Sequence, residues 1–336
     1  MDQIYCTLFD SNYMDKGLVL YDSMCDFIGD FKLYIFAFDD LCYSILSKMH
    51  LKNATLIPLK DLETEELLKA KQERTPAEYC WTCAAWTIKH VLDCFQEDIC
   101  TYIDADMMFF SSPQPIFDDL RAKECSIIIV PHRFKNEKEE RKAHDTVGSY
   151  CVEFNTFINN EQGRAALDWW ADRCLEWCFY AVPGTTEWYG DQKYLNVFPQ
   201  KFKGVYICDH IGIGLAPWNN MLVDYVKDCP LKIKEKKSGK VFPLILYHFE
   251  NVSFLSRHIL HVSSGLKSKE LHKCIYDEYV DRILKKRRLL KEEHGFAVPK
   301  NRRIVTRNVF MKIYQTYIGP LKRIKRISDL YWIKEE

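Results

Sequence analysis

Short apolar runs alternate with amphipathic stretches from the N-terminus to about residue 130, and this alternation restricts the fold more than any other feature. Ile4 to Phe9 reads as a strand and is broken by Asp10-Ser-Asn-Tyr13; apolar residues at helical spacing follow from Gly17 to Phe27. Phe31 to Phe38 is a second strand, closed by Asp39-Asp40 and followed by an amphipathic stretch from Leu41 to Met49. A third strand, Ala54 to Leu59, leads to a polar helix from Asp61 to Gln72, and Pro76 opens a longer one from Ala77 to Phe95. Ile99 to Ile103 and Ser126 to Val130 are the next strands. Strands separated by helices in this order predict an α/β fold on a doubly wound, mostly parallel sheet.

Beyond Gly148 the pattern is mixed. Tyr150 to Ile158 alternates as a strand, Glu161 to Phe179 is a Trp-rich helix, and Val205 to Cys208 and Val241 to His248 read as further strands. From Lys267 the chain is basic and helical, with breaks at Gly295, Pro299 and Pro320. The expected organisation is a body over residues 1–265 and a basic helical extension over 266–336. Charge divides at the same place: 19 Lys and Arg stand against 9 Asp and Glu after Leu266, and 28 against 38 before it. An acidic body with a basic tail predicts a polyanionic partner for the tail.

Apolar residues make up 47% of the chain, enough for a large core, so disordered and collagen-like classes are excluded. The 14 cysteines are scattered, and Cys80-x-x-Cys83 has no second pair to complete a zinc spacing, so buried free thiols in a reduced cytoplasmic protein are expected. The start, Met-Asp-Gln-Ile-Tyr, has no basic n-region and reads as no signal peptide. No apolar run approaches the roughly 20 residues of a membrane span.

Asp104-Ala105-Asp106 is the sharpest motif, because it ends the apolar Ile99–Ile103 run. Two carboxylates at the end of a buried strand are costly unless paired, and a hard divalent cation relieves that cost. A phosphatase of the haloacid dehalogenase type also carries D-x-D, but near the N-terminus and with Thr or Val where Met108 stands. Asp191 and Gln192, in a Gly-bearing loop, can hold sugar hydroxyls and stabilise an oxocarbenium-like transition state; Asp191 can equally cap a helix. Trp218 offers an indole face to a sugar ring or to the core. His132-Arg133 follows a strand, and Arg133 can pair with a phosphate or with a surface carboxylate.

Four ordered segments resemble nucleotide-sugar glycosyltransferases of the GT-A fold. Tyr5-Cys-Thr-Leu-Phe-Asp-Ser-Asn-Tyr13 is similar to the segment those enzymes set against the nucleotide. Tyr102-Ile-Asp-Ala-Asp-Met-Met-Phe-Phe110 resembles their Y-L-D-A-D core. Tyr189-Gly-Asp-Gln-Lys-Tyr-Leu-Asn196 resembles the D-Q-x-x-L-N of retaining family 8 enzymes, and Tyr247-His248-Phe249 the late His motif. The resemblance spans roughly residues 1–265 and extends to nucleotide-diphospho-sugar transferases of bacterial glycan loci. It implies a metal-dependent glycosyltransferase with Mn²⁺, or Mg²⁺, on Asp104, Asp106 and His248; imidazole favours manganese. Thr7, Asp10 and Tyr13 are implied on the nucleotide side, Asp104 on the diphosphate, and Asn155, Asp191 and Gln192 on the transferred sugar, with retention of configuration.

The pattern departs from family 8 after His248, where Phe-Glu-Asn-Val-Ser replaces G-x-x-K-P-W and leaves the diphosphate-binding lysine unassigned; Arg257 and Lys240 are the candidates. Thr156-Phe157 likewise follows Asn155 where Ser-Gly is expected. The implied partners are a nucleotide-diphosphate sugar and a glycan or lipid-linked acceptor at the cytoplasmic membrane face. The clusters Lys285–Arg288, Lys300–Arg303 and Lys322–Arg326 suit an anionic bilayer, and no nucleic-acid motif accompanies them. Two other classes remain at this point: a nucleotidyltransferase, disfavoured by the single Gly in Asp10–Gly17, and a non-catalytic glycan- or membrane-binding module.

Overall fold

The computed structural model describes residues 3–181, 187–226, 230–255, 259–262, 272–299 and 330–332. Its strands are β1 (Gln3–Phe9), β2 (Phe31–Ala37), β3 (Ala54–Pro58), β4 (Ile99–Ile103), β5 (Met107–Phe109), β6 (Ile127–Pro131), β7 (Tyr150–Ile158) and β8 (Val205–Ile207). Then come β9 (Val223–Val226), β10 (Lys232–Glu235), β11 (Val241–Pro243), β12 (Leu246–His248), β13 (Ser253–Phe254), β14 (Ile259–His261) and β15 (Leu330–Trp332). Helices are α1 (Met14–Phe27), α2 (Asp40–Met49), α3 (Leu59–Leu62), α4 (Glu65–Glu73), α5 (Pro76–Cys94), α6 (Gln114–Ala122), α7 (Glu137–Asp145), α8 (Glu161–Glu176), α9 (Phe198–Lys201) and α10 (Asp277–His294).

The central sheet has the order β3-β2-β1-β4-β7-β6-β8. All its pairings are parallel except those of β7, which runs antiparallel to both β4 and β6. β4 is buried along its whole length, as its unbroken apolar run requires when helices cover both faces. From β1 the chain winds outward to β2 and β3 and returns to the other side as β4. The strand order therefore reverses between β1 and β4, and a crevice opens beyond their carboxyl ends.

Local chemistry sets the element ends. Thr75 and Glu78 form a reciprocal capping box on α5, with Pro76 in its first turn. Asp39 accepts from the Cys42 amide at 2.6 Å to cap α2, and from the Ser11 amide at 2.9 Å, which ties the loop after β2 to the loop after β1. The expected helix from Asp61 to Gln72 is two helices, because the Thr64 hydroxyl accepts from the Leu67 amide and starts a new one. The expected strand from Val241 to His248 is also two. β11 ends at Pro243, which has no N–H to donate, and β12 joins β5 instead of β10.

A second core lies beside the sheet, where Ile275, Tyr279 and Ile283 sink fully against Val19 of α1 and Phe249. Tyr279 stacks on Phe249 with centroids 3.6 Å apart. These residues repeat at the spacing of four that reads as a buried face; Leu271, the next in that series, lies outside the described residues. Along the same contact Arg282, Lys286 and Arg287 pair with Asp26, Asp22 and Asp15 of α1, at 2.7, 2.7 and 2.6 Å. Every described cysteine is a free thiol, Cys80 and Cys83 included. Among the described residues no helix is long and apolar enough to cross a membrane.

Candidate active site

β1 delivers Asp10 and Tyr13 to the crevice, and β4 delivers Asp104 and Asp106. Asp10 accepts from the Asn12 amide at 3.1 Å, so the chain turns sharply after the strand and Tyr13 swings back over the opening. After Asp106 the chain enters β5, whose partner β12 places His248 opposite Met107. The Phe249 amide donates to the Asp106 carbonyl at 2.9 Å, closing the register at that point. The result is a cleft of about 530 Å³ whose floor is the two aspartates and the histidine.

The three side chains converge. His248 Nε2 is 3.3 Å from Asp106 Oδ1 and 3.9 Å from Asp104 Oδ2. One donor atom from each of the three lies within 4.8 Å of the others. Tyr102 donates its hydroxyl to Asp104 Oδ1 at 2.8 Å and fixes that carboxylate. On its other side, His248 Nδ1 lies 2.8 Å from Oε2 of Glu153, a fully buried carboxylate.

The charges do not balance within the cleft. Asp10, Asp104, Asp106, Asp191 and Glu250 line it, and no Lys or Arg does among the described residues. Removal from water pushes the Asp104 carboxyl up to about 7; His248 opposes that rise and the Asp106 charge adds to it. Burial would raise Asp106 too, but the hydrogen bond and charge of His248, with help from Lys16, hold it below the usual range. Burial and the nearby Asp104 charge drive Asp191 well above the usual range. Burial would lower the His248 imidazole in turn, but Asp106 raises it well above its ordinary value, so the metal-free site keeps a proton there that a cation would replace. Carboxylates crowded around an imidazole in this way are a fitting set for a divalent cation, since its charge relieves both repulsion and desolvation.

Asp191, Gln192 and Trp218 also line the cleft. The Gln192 amide donates to the Val147 carbonyl at 2.7 Å, and the Trp218 indole N–H to the His132 carbonyl at 3.0 Å. The Trp218 and His248 rings meet edge-to-face with centroids 5.5 Å apart, so the indole packs the histidine.

Two expected contacts lie elsewhere. Thr7 is fully buried inside β1, and the strand's tip, Leu8 to Asp10, lines the cleft in its place. Asn155 is fully buried opposite Tyr102. Because β7 is antiparallel to β4, its N-terminal end reaches the crevice, and Cys151 and Val152 line the wall where Asn155 was expected. Arg133 turns away as well, donating to the carbonyls of Ile213, Cys208 and His210 at 2.7, 2.9 and 3.2 Å. Lys240 does not line the cleft, and Arg257 is outside the described residues.

Glu153 and Lys16 were missed in the sequence. Glu153 had a signal, a lone charge at the centre of an apolar strand. Lys16 had none: it is buried at the start of α1, with Nζ 3.9 Å over the Tyr13 ring. Burial alone would depress its ammonium group, but Tyr13, Asp106 and Asp15 outweigh that and hold it above its ordinary value.

No family profile matches the chain. It is 30% identical over 308 residues to YfnF, an uncharacterized protein of Bacillus subtilis strain 168, covering 88% of this chain and 98% of YfnF. The chain belongs to the YfnF family. YfnD of the same organism, also uncharacterized, is 29% identical over 257 residues, 75% of this chain and 78% of its own. Among solved structures, the galactosyltransferase LgtC in complex with donor and acceptor sugar analogs superposes with a TM-score of 0.52. That match covers 84% of this chain and 96% of LgtC at 12% identity. The fold of this YfnF-family chain is thus of the GT-A type, a mostly parallel α/β sheet.

Proposed function

We propose that the protein is a metal-dependent glycosyltransferase that moves a sugar from a nucleoside-diphosphate donor to a glycan acceptor. The observation that carries this reading is the convergence of Asp104, Asp106 and His248 at the reversal point of a GT-A sheet, with Asp191 facing them across one cleft. Asp10 and Tyr13, at the end of β1, take the nucleotide side. Asp104, Asp106 and His248 hold Mn²⁺ or Mg²⁺. When bound, the ion supplies the positive charge that a departing nucleoside diphosphate needs.

Asp191 and Gln192 orient the transferred sugar by hydrogen bonds to its hydroxyls. Asp191 is rigidly based, since the indole N–H of buried Trp170 donates to its carbonyl at 3.0 Å. The D-Q-x-x-L-N pattern favours retention of configuration. Residues 1–265 form the catalytic unit and 266–336 its extension, in which α10 is docked on α1. The acceptor is lipid-linked, and the basic clusters beyond α10 meet anionic lipid at the cytoplasmic face.

Incubation with a panel of nucleotide sugars and Mn²⁺ tests the reading directly. The expected result is release of free nucleoside diphosphate, accelerated by a suitable acceptor. Release of pyrophosphate would make the protein a nucleotidyltransferase, and release of neither, across the panel, would make it a binding module.

A further inference from the structure

Glu153 is fully buried, and a buried carboxylate without full compensation is strongly unfavourable to folding. Only one of its oxygens has a hydrogen-bond partner, which is Nδ1 of His248 at 2.8 Å. The other, Oε1, is buried with none. Arg133 is the nearby cation, yet its guanidinium is committed to three backbone carbonyls and makes no direct ion pair with Glu153 among the described residues. The two groups meet over Gly214, whose φ is +79°: a Cβ there would stand 2.6 Å from Arg133 Nη1 and 2.9 Å from Glu153 Oε1. An apolar residue would fill this core position at lower cost, so packing alone does not account for a glutamate.

The hydrogen bond to His248 does account for it. A carboxylate can only accept, so Nδ1 must donate. With Nδ1 committed as the donor, the lone pair of a neutral imidazole lies on Nε2, the atom turned toward Asp106 and Asp104. Rotation of the ring about its bonds would break the 2.8 Å contact. We propose that Glu153 is a positioning residue that fixes the ring and the tautomer of His248, so that Nε2 is presented to a divalent cation on Asp104 and Asp106. The inference rests on the cation site proposed above. It assigns a role to a residue outside the cleft wall and gives the strand β7 a part in the site through its interior.

The test is Mn²⁺ binding by the full chain, measured by calorimetry without donor. Glu153→Leu, which fills the space but cannot accept a hydrogen bond, should weaken Mn²⁺ roughly 10- to 100-fold without lowering the thermal stability of the metal-free chain, whereas Glu153→Gln, whose amide oxygen can still accept from Nδ1, should restore much of the affinity. In a His248→Ala background Glu153→Leu should produce no further loss, because its route to the metal is gone. Equal Mn²⁺ affinity in wild type and Glu153→Leu, or losses that add in the double variant, would overturn the proposal. Should Glu153→Leu fail to fold, the wild-type chain still decides: nitrogen-resolved NMR of the metal-free protein should show an exchange-protected proton on His248 Nδ1, and its absence refutes the assignment. Failure of the cation site itself reads differently. Wild type would then bind no Mn²⁺, while the protected Nδ1 proton would remain and mark Glu153 as holding the ring alone.

Discussion

Asp106 has the most to lose from a change of charge at constant shape. It sits between His248 and the field of Lys16, with its side chain 13% exposed. Asp106→Asn should therefore lower Mn²⁺-dependent turnover more than about 100-fold, since a missing charge at the leaving group is worth several kcal/mol of barrier. The melting temperature should stay near wild type, and chelation of metal from the wild-type enzyme should give a comparable loss. Near wild-type rates at saturating donor would remove the cation from the chemistry. Asp191 answers a different question because its proposed partner is the sugar and not the diphosphate. For Asp191→Ala, turnover should collapse while calorimetry returns an almost unchanged affinity for free nucleoside diphosphate. A parallel fall in that affinity would move Asp191 into the nucleotide-binding or structural set.

Elements carry information that single strands do not. The ends of β1 and β4 could be read from sequence because an acidic residue stops each apolar run, at Asp10 and at Asp104. His248 was legible for a similar reason, as the polar end of an apolar stretch. Thr7 and Asn155 were assigned by resemblance, and a matched motif carries neither a strand's direction nor a residue's depth; the antiparallel pairing of β7 brings Cys151 and Val152 to the cleft and leaves Asn155 buried opposite Tyr102. Glu153 stayed hidden because its partner is about a hundred residues away in β12. The docking of α10 was half-visible. Its apolar spacing announced a buried face, whereas its matching ion pairs with α1 depend on which helix covers it. Those pairs should differ in weight. Asp15 is 3% exposed against Arg287, while Asp22 is 32% exposed against Lys286. Arg287→Ala should thus destabilise the chain by about 3 kcal/mol in urea unfolding, the cost of stranding a buried charge, and Lys286→Ala by under about 1 kcal/mol. Equal effects would mean that the apolar seam alone holds the helix.

At the scale of the whole molecule, the charge division has two addressees. Part of the basic excess after Leu266 is answered inside the chain, where three side chains of α10 meet three aspartates of α1. Lys285, next in that cluster, is held by Asp281 of its own helix at 2.7 Å. Of the three basic clusters in the sequence, the first is therefore largely occupied, and the polyanionic partner expected from the sequence is left to Lys300–Arg303 and Lys322–Arg326, which lie outside the described residues. Reversal of Lys322, Arg323, Lys325 and Arg326 to Glu tests that role while leaving Arg282, Lys286 and Arg287 of α10 unchanged. The wild-type chain should co-sediment with vesicles containing anionic lipid, and less so as salt rises, because such attraction is screened over about 8–10 Å at physiological ionic strength. Each basic residue near the surface is worth about 1 kcal/mol, so the reversal should reduce vesicle binding at least 100-fold while nucleoside-diphosphate release in solution is retained. Unchanged co-sedimentation of the reversed chain would leave the tail without a membrane role and return its charge to contacts within the protein or with a protein partner.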